Sequence, residues 1–181
     1  MSAQAHPPAT LQEKGPNHWG PDLLAQARGL MESETDQTAL LANMAALLFA
    51  TVGDVNWAGF YVLKPCRQVT EGQPSQGELV LGPFQGRVAC SRIPLNKGVC
   101  GAAASKRKTL RVADVHAFPE HIACDGASRS EIVVPLCTGQ GKLFGVLDID
   151  SPTPGRFSAT DQAALEQLAS LLGAQLGRCT N

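Results

Sequence analysis

The sequence predicts an α+β domain with a central antiparallel sheet, helices mainly on one face of it, and a cysteine-bearing loop region over the other. Three observations lead to this prediction. Two helical segments open the chain, and a single capped helix closes it. Between them lie two β-rich segments, a crossover region and three further β-rich segments. With 181 residues, the chain is long enough for one domain with a sizeable core.

The first two segments carry helix-start signals. Pro21 suits the first position of a helix, and few helix-breaking residues follow it. Thr35 or Asp36 can cap the second helix, and Gly53 is placed to end it. The apolar residues of this second segment recur at spacings of three, four and seven and form one stripe: Leu40, Leu41, Met44, Leu47 and Leu48.

The middle of the chain favours strands. VNWAGFYVL and ELVLG predict a hairpin with a long polar connection, and GRVACSRI predicts a further strand-like stretch. A short helix is expected from Gly98, and TLRV predicts a brief strand. The segment 113–128 then reads as a long irregular loop, a class of segment that is often functional. EIVVPLC and KLFGVLDID predict the last two strands, and Ser158 with Asp161 forms a capping box for the closing helix.

Composition excludes several classes of function. The net charge is −1, from 15 basic and 16 acidic residues, so bulk charge attracts neither nucleic acid nor an anionic membrane. The sequence has no membrane-length apolar run and no secretory signal, which predicts a cytoplasmic protein with reduced thiols. Residues 1–19 are rich in proline and polar residues and predict a flexible tail, with the domain spanning 20–181.

Three of the six cysteines stand in unusual contexts. Cys124 lies in a loop beside charged and small residues, where a reactive thiol is more expected than a packed one. Cys100 lies at a Gly-x-Cys-Gly helix start, where amide groups and the helix dipole would lower its pKa, and Cys90 lies on an extended segment. Their spacing, even with His116 and His121, lacks the paired pattern of zinc ligands, so no metal is expected.

Acidic and aromatic side chains alternate along the predicted strands. Asp148 and Asp150 share one face of their strand, and Glu131 begins the preceding strand, so the three can converge at one end. Exposed carboxylates on the solvent side of the sheet are the competing interpretation. Trp57 and Tyr61 also share a face, and Phe84 is expected nearby. These aromatic residues form either part of the core or the wall of a binding site.

Residues 35–178 resemble the GAF-domain fold. The stretch LGPFQGRVACSRIPLNKGVCGAAASKRKTLRVADVHAFPEHIACDGASRSEIVVPL is similar to the signature of the free methionine-(R)-sulfoxide reductases. These are stand-alone GAF enzymes that act on the free amino acid. One departure is Phe118-Pro119-Glu120-His121, where the family usually carries glycine before the histidine, so that Glu120 adds a charge near the expected site.

The resemblance implies roles for most of the candidate residues. Cys124 would be the nucleophile and Cys90 its partner in a redox-active disulfide. The helix-start position of Cys100, and not the resemblance, makes it a second resolving thiol or a rival nucleophile, with a small residue packed at a crowded helix start as the alternative. Glu131 and Asp150 would lie at the sulfoxide group, whose oxygen needs proton donors in order to leave as water. The other implied substrate contacts are Asp148 at or near the ammonium group and an aromatic cradle for the methylthio end made by Trp57, Tyr61 and Phe84.

The implied activity is reduction of free L-methionine-(R)-sulfoxide through a cysteine sulfenic acid and a disulfide. A thioredoxin-type dithiol protein would regenerate the thiols. No cofactor is implied, and a homodimer is common in the family. The alternative is a ligand-binding or redox-sensing GAF module without catalysis, because a fold does not fix a function.

Overall fold

The computed structural model describes residues 20–65, 77–119, 122 and 126–179. The predicted tail, 1–19, lies outside the described residues, as do Cys66, Glu120, His121 and Cys124. Within the described ranges, no helix is both long and apolar enough to cross a membrane.

Four α-helices and six β-strands make up the described part of the chain. In order they are α1 Gly20–Met31, α2 Gln37–Thr51, β1 Trp57–Lys64, β2 Glu78–Gly86, β3 Arg92–Pro94, α3 Gly98–Lys106, β4 Leu110–Val112, β5 Ser130–Cys137, β6 Leu143–Ser151 and α4 Ala159–Leu176. A 3₁₀ turn, Val115–Ala117, lies between β4 and β5. The predicted order of elements is therefore confirmed.

The strands form one antiparallel sheet in the order β3-β2-β1-β6-β5-β4. The central pair joins the first long strand to the last, so residues about 90 positions apart in sequence become neighbours: Trp57 pairs with Asp150 and Gly59 with Asp148. On the other side of β6, Glu131 of β5 pairs with Asp150. The sheet thereby gathers the candidate residues near its centre.

Both faces of the sheet are covered, which explains why its central strands are buried on both sides. One face packs on α1, α2 and α4 through a large apolar core that includes Leu40, Phe60, Ile132 and Leu165. The opposite face packs on α3 through a second core that includes Tyr61, Val99, Val133 and Val146. The predicted arrangement, with helices mainly on one face, is confirmed.

The predicted helix caps form at both ends of the chain. Asp36 caps α2 by accepting a 2.8 Å hydrogen bond from the Ala39 amide. Ser158 and Asp161 form the predicted capping box at α4. Helix α2 ends at Thr51, but Asp54 rather than Gly53 takes the positive φ angle, 59°, that turns the chain towards β1.

The strand-like prediction for GRVACSRI holds only at its end. Strand β3 is limited to Arg92–Pro94, while residues 87–91 are not part of a strand. Val88 is 86% exposed in this segment. Side-chain hydrogen bonds from Trp57 and Tyr61 of β1 to the carbonyl oxygens of Arg87 and Cys90 position this segment instead of strand pairing.

Candidate active site

A cleft opens between α3 and the sheet face on which α3 packs. Its wall combines aromatic rings from β1 with acids from β5 and β6 and with the first turn of α3: Trp57, Tyr61, Glu131, Asp148, Asp150, Gly98, Val99 and Cys100. Among the lining residues that the structure describes, none is lysine, arginine or histidine. The cleft is therefore suited to a small ligand that carries a positive charge.

The three acids converge as the strand alternation predicts. Glu131 and Asp150 are direct cross-strand partners, and Asp148 lies two residues before Asp150 on the same face. Glu131 and Asp148 are each only 6% exposed, and Asp150 is half-buried. The competing interpretation of solvent-exposed carboxylates is wrong, because α3 covers this face of the sheet.

Burial disfavours ionisation of Glu131 and Asp148. Burial raises the pKa of Glu131 well above its usual range, and the neighbouring charges of Asp148 and Asp150 raise it further. Burial also raises the pKa of Asp148 to about 7, although hydrogen bonds with Cys100 and Glu131 act in the opposite direction. Glu131 thus holds its proton more strongly than an ordinary carboxyl group and, in the protonated form, can donate a proton or a hydrogen bond.

Cys100 lies directly among these acids. Its side chain is buried, and its Sγ atom is 3.9 Å from Oε1 of Glu131. Burial raises the pKa of the Cys100 thiol well above its usual value, and the charges of Asp148 and Glu131 add to that effect. The expectation of a lowered pKa at the helix start is wrong, because desolvation and carboxylates from distant strands outweigh the dipole of a nine-residue helix.

Three aromatic rings stack along the sheet. The Trp57 ring lies 5.9 Å from the Tyr61 ring and 5.4 Å from the Phe84 ring, centroid to centroid. Trp57 and Tyr61 line the cleft, whereas Phe84 supports Trp57 from outside the lining. Gly59 lies between them on the same face, and a Cβ atom there would come within 2.7 Å of the Trp57 ring.

Both β1 aromatics also hold the segment that carries Cys90. Trp57 Nε1 donates to the Arg87 carbonyl oxygen at 3.1 Å, and the Tyr61 hydroxyl donates to the Cys90 carbonyl oxygen at 3.0 Å. Cys90 is disulfide-bonded. Its partner is none of the other described cysteines, Cys100, Cys137 and Cys179, which are free thiols. The predicted pairing with Cys124 falls outside the described residues and stays a prediction.

The sequence did not single out one buried polar residue of the cleft. Ser128 is 5% exposed, lines the cleft, and accepts a 3.0 Å hydrogen bond from Asn56 Nδ2. Its position four residues after Cys124 could have indicated a place in the site. Its hydrogen bond with Asn56 could not be predicted, because the two residues are 72 positions apart in the sequence. His116, by contrast, is exposed on the 3₁₀ turn, and its backbone amide donates to Asp114.

Comparison with known proteins accords with this geometry. The GAF domain family model matches residues 36–176. The free methionine-R-sulfoxide reductase of Escherichia coli is 48% identical over 83% of this chain and 84% of its own length. The reduced form of Staphylococcus aureus fRMsr superimposes with a TM-score of 0.79 at 46% identity, covering 88% of this chain and 96% of that one.

A second solved structure shows the same likeness with a ligand bound. The free methionine-R-sulfoxide reductase of Neisseria meningitidis, in complex with its substrate, is 46% identical with a TM-score of 0.76. That match covers 85% of this chain and 86% of the Neisseria chain. This chain therefore belongs to the GAF domain family and, within it, to the group that contains the free methionine-R-sulfoxide reductases.

Proposed function

We propose that this protein reduces free L-methionine-(R)-sulfoxide to L-methionine and that a thioredoxin-type dithiol protein restores its thiols. The observation that carries the proposal is the cluster of the buried Glu131 and Asp148 with the half-buried Asp150 beside an aromatic wall. The family relationship supports the same activity.

The cleft supports this substrate group by group. The substrate ammonium group needs a negative partner, and Asp148, with a pKa of about 7, can supply one near neutral pH. The methylthio end would pack against Trp57 and Tyr61. The substrate carboxylate would meet the first amide groups of α3 at Gly98 and Val99, because helix starts attract anions.

The proposed chemistry begins at Cys124. Its thiolate attacks the sulfoxide sulfur while Glu131 and Asp150 supply a proton to the sulfoxide oxygen. Methionine leaves, the oxygen passes to the cysteine, and a sulfenic acid remains on Cys124. The Cys90 thiol then attacks that sulfenic sulfur, so that a disulfide forms and the oxygen leaves as water.

Regeneration completes the electron balance. A reduced dithiol protein exchanges with the Cys90–Cys124 disulfide, returns two thiols to the enzyme and becomes a disulfide itself. The disulfide at Cys90 supports this assignment of the resolving thiol. Cys100 is a weaker candidate for it, because its thiol is buried and its pKa is raised. We further propose that the protein acts in the cytoplasm as a homodimer.

The experiment that tests the proposal measures methionine release with thioredoxin, thioredoxin reductase and NADPH. The substrates are the separated R and S epimers of methionine sulfoxide, each free and N-acetylated. We expect turnover only of the free R epimer, because acetylation removes the ammonium charge. Without release from any of the four, the alternative of a ligand-binding or redox-sensing module would replace the enzyme.

A further inference from the structure

The cleft also contains a set of donor atoms that suits a metal ion. One sulfur atom and two carboxylate oxygens, from Cys100, Glu131 and Asp148, all lie within 4.8 Å of one another. The three residues are buried and come from three elements, α3, β5 and β6. The sequence spacing that argues against zinc concerns a different set of residues. That set combines three cysteines with His116 and His121 and includes no carboxylate.

The distances fit a divalent ion of zinc size. With a zinc–sulfur bond of about 2.3 Å and a zinc–oxygen bond of about 2.1 Å, tetrahedral geometry places sulfur and oxygen about 3.6 Å apart. The Cys100 Sγ and Glu131 Oε1 atoms are 3.9 Å apart, so a shift of a few tenths of an ångström brings them into range. Three protein ligands leave a fourth position open towards the cleft, which is the pattern of open zinc sites.

A second observation points independently to a ligand. The Oδ1 atom of Asp148 is buried and makes no hydrogen bond, although Asp148 lines the cleft. Buried polar atoms normally have a partner, and leaving one without a partner costs about 1–3 kcal/mol. The described lining offers no cationic side chain to this oxygen. A bound cation would satisfy it.

We propose that Cys100, Glu131 and Asp148 form a zinc-binding site that remains available when Cys90 is in its disulfide. A thiolate with two carboxylates matches the mixed sulfur and oxygen ligands that zinc accepts, and magnesium or calcium would not favour the sulfur. The ion would bind Glu131 and Asp148, which are also the acids proposed to contact the substrate, so zinc would compete with methionine sulfoxide. Only this consequence rests on the proposed function.

The binding test uses the full-length protein with the Cys90 disulfide intact and no added thiol, so that Cys90 cannot be a ligand. Zinc affinity is measured by competition with a chromophoric chelator, in parallel with the sulfur-to-metal charge-transfer absorption of added Co²⁺. We expect one zinc per chain. Cys100→Ser and Asp148→Asn should each weaken binding at least tenfold, and Cys100→Ser should abolish the charge-transfer band.

Cys137→Ser is the matched control, because Cys137 is also a free, partly buried thiol but does not line this cleft. Unchanged zinc affinity in Cys100→Ser, or an equal loss in Cys137→Ser, would overturn the site. Asp148→Asn keeps the test decisive if Cys100→Ser fails to fold. Binding is measured without substrate, so an inactive protein that still binds zinc would refute the proposed function and leave the site intact.

Discussion

The Tyr61 hydroxyl donates a hydrogen bond to the backbone carbonyl oxygen of Cys90 across 3.0 Å. Burial raises the pKa of Tyr61, so its hydroxyl keeps the proton that this bond requires. The bond ties residues 87–91, which belong to no strand, to the central strand β1. The backbone position of the disulfide-bonded cysteine is thus held by a residue that also lines the cleft.

Tyr61→Phe should therefore slow disulfide formation more than it slows the first release of methionine. Loss of one hydrogen bond, worth about 0.5–1.5 kcal/mol, corresponds to a roughly 2- to 10-fold slower resolving step. Single-turnover reactions, quenched and analysed by mass spectrometry, measure the sulfenic acid and disulfide separately. Equal slowing of both steps would mean that Tyr61 acts only as part of the substrate wall.

Cys90→Ser should release about one methionine per chain and then stall with thioredoxin alone, because the sulfenic acid lacks its resolving thiol. Cys124→Ser should release none. Cys137→Ser, which changes a free thiol outside the cleft, serves as the control and should keep full turnover. Continued turnover of Cys90→Ser with thioredoxin would transfer the resolving role to Cys100.

Glu131→Gln should reduce kcat/KM by about 10²- to 10⁴-fold, the range typical of a lost general acid. The pH profile gives a sharper test. Because the pKa of Glu131 is raised, the proton donor persists to higher pH than an ordinary carboxyl group would allow, and it is lost as the pH rises through that pKa. We expect the alkaline fall of the wild-type profile to disappear in Glu131→Gln. An unchanged profile would assign the proton donor elsewhere.

Asp148→Asn should stabilise the fold at neutral and alkaline pH. Asp148 ionises with a pKa of about 7 when folded, against an ordinary value of 3.8, so the folded state holds its proton more tightly. The wild-type protein consequently loses stability as the pH rises from about 4 to 7, by at most about 4 kcal/mol from this group. Urea unfolding of both proteins at pH 5 and pH 8 measures the difference. A variant less stable than wild type at pH 8 would contradict this account.

Gly59→Ala should destabilise the fold by about 1–3 kcal/mol, the usual cost of overpacking. The added Cβ atom would collide with Cβ of Phe84 and with the Trp57 ring, so the aromatic wall must move. Gly139→Ala is the matched control, because a Cβ atom there meets nothing within 4 Å. Thermal unfolding measures stability, and Trp fluorescence reports displacement of the ring. Equal effects of the two substitutions would argue against a tight contact at Gly59.

Local signals predicted most of the secondary structure correctly. The caps at Asp36 and Ser158 depend on hydrogen bonds within three residues, and the strand period of two placed Asp148 with Asp150. The prediction of a strand for GRVACSRI was wrong for residues 87–91. The conformation of this segment depends on hydrogen bonds from side chains of β1 rather than on local strand preference.

The sequence alone determined the α+β class, the order of elements, and the family signature around its cysteines, because periodicity, caps and motifs are properties of neighbouring residues. The tertiary structure decided the chemistry of the cleft. Glu131 meets Asp150 across two strands, and α3 buries Cys100 against carboxyl groups. Their pKa values depend on burial and on charges from distant strands, so a helix-start pattern could not reveal that the Cys100 thiol is held protonated.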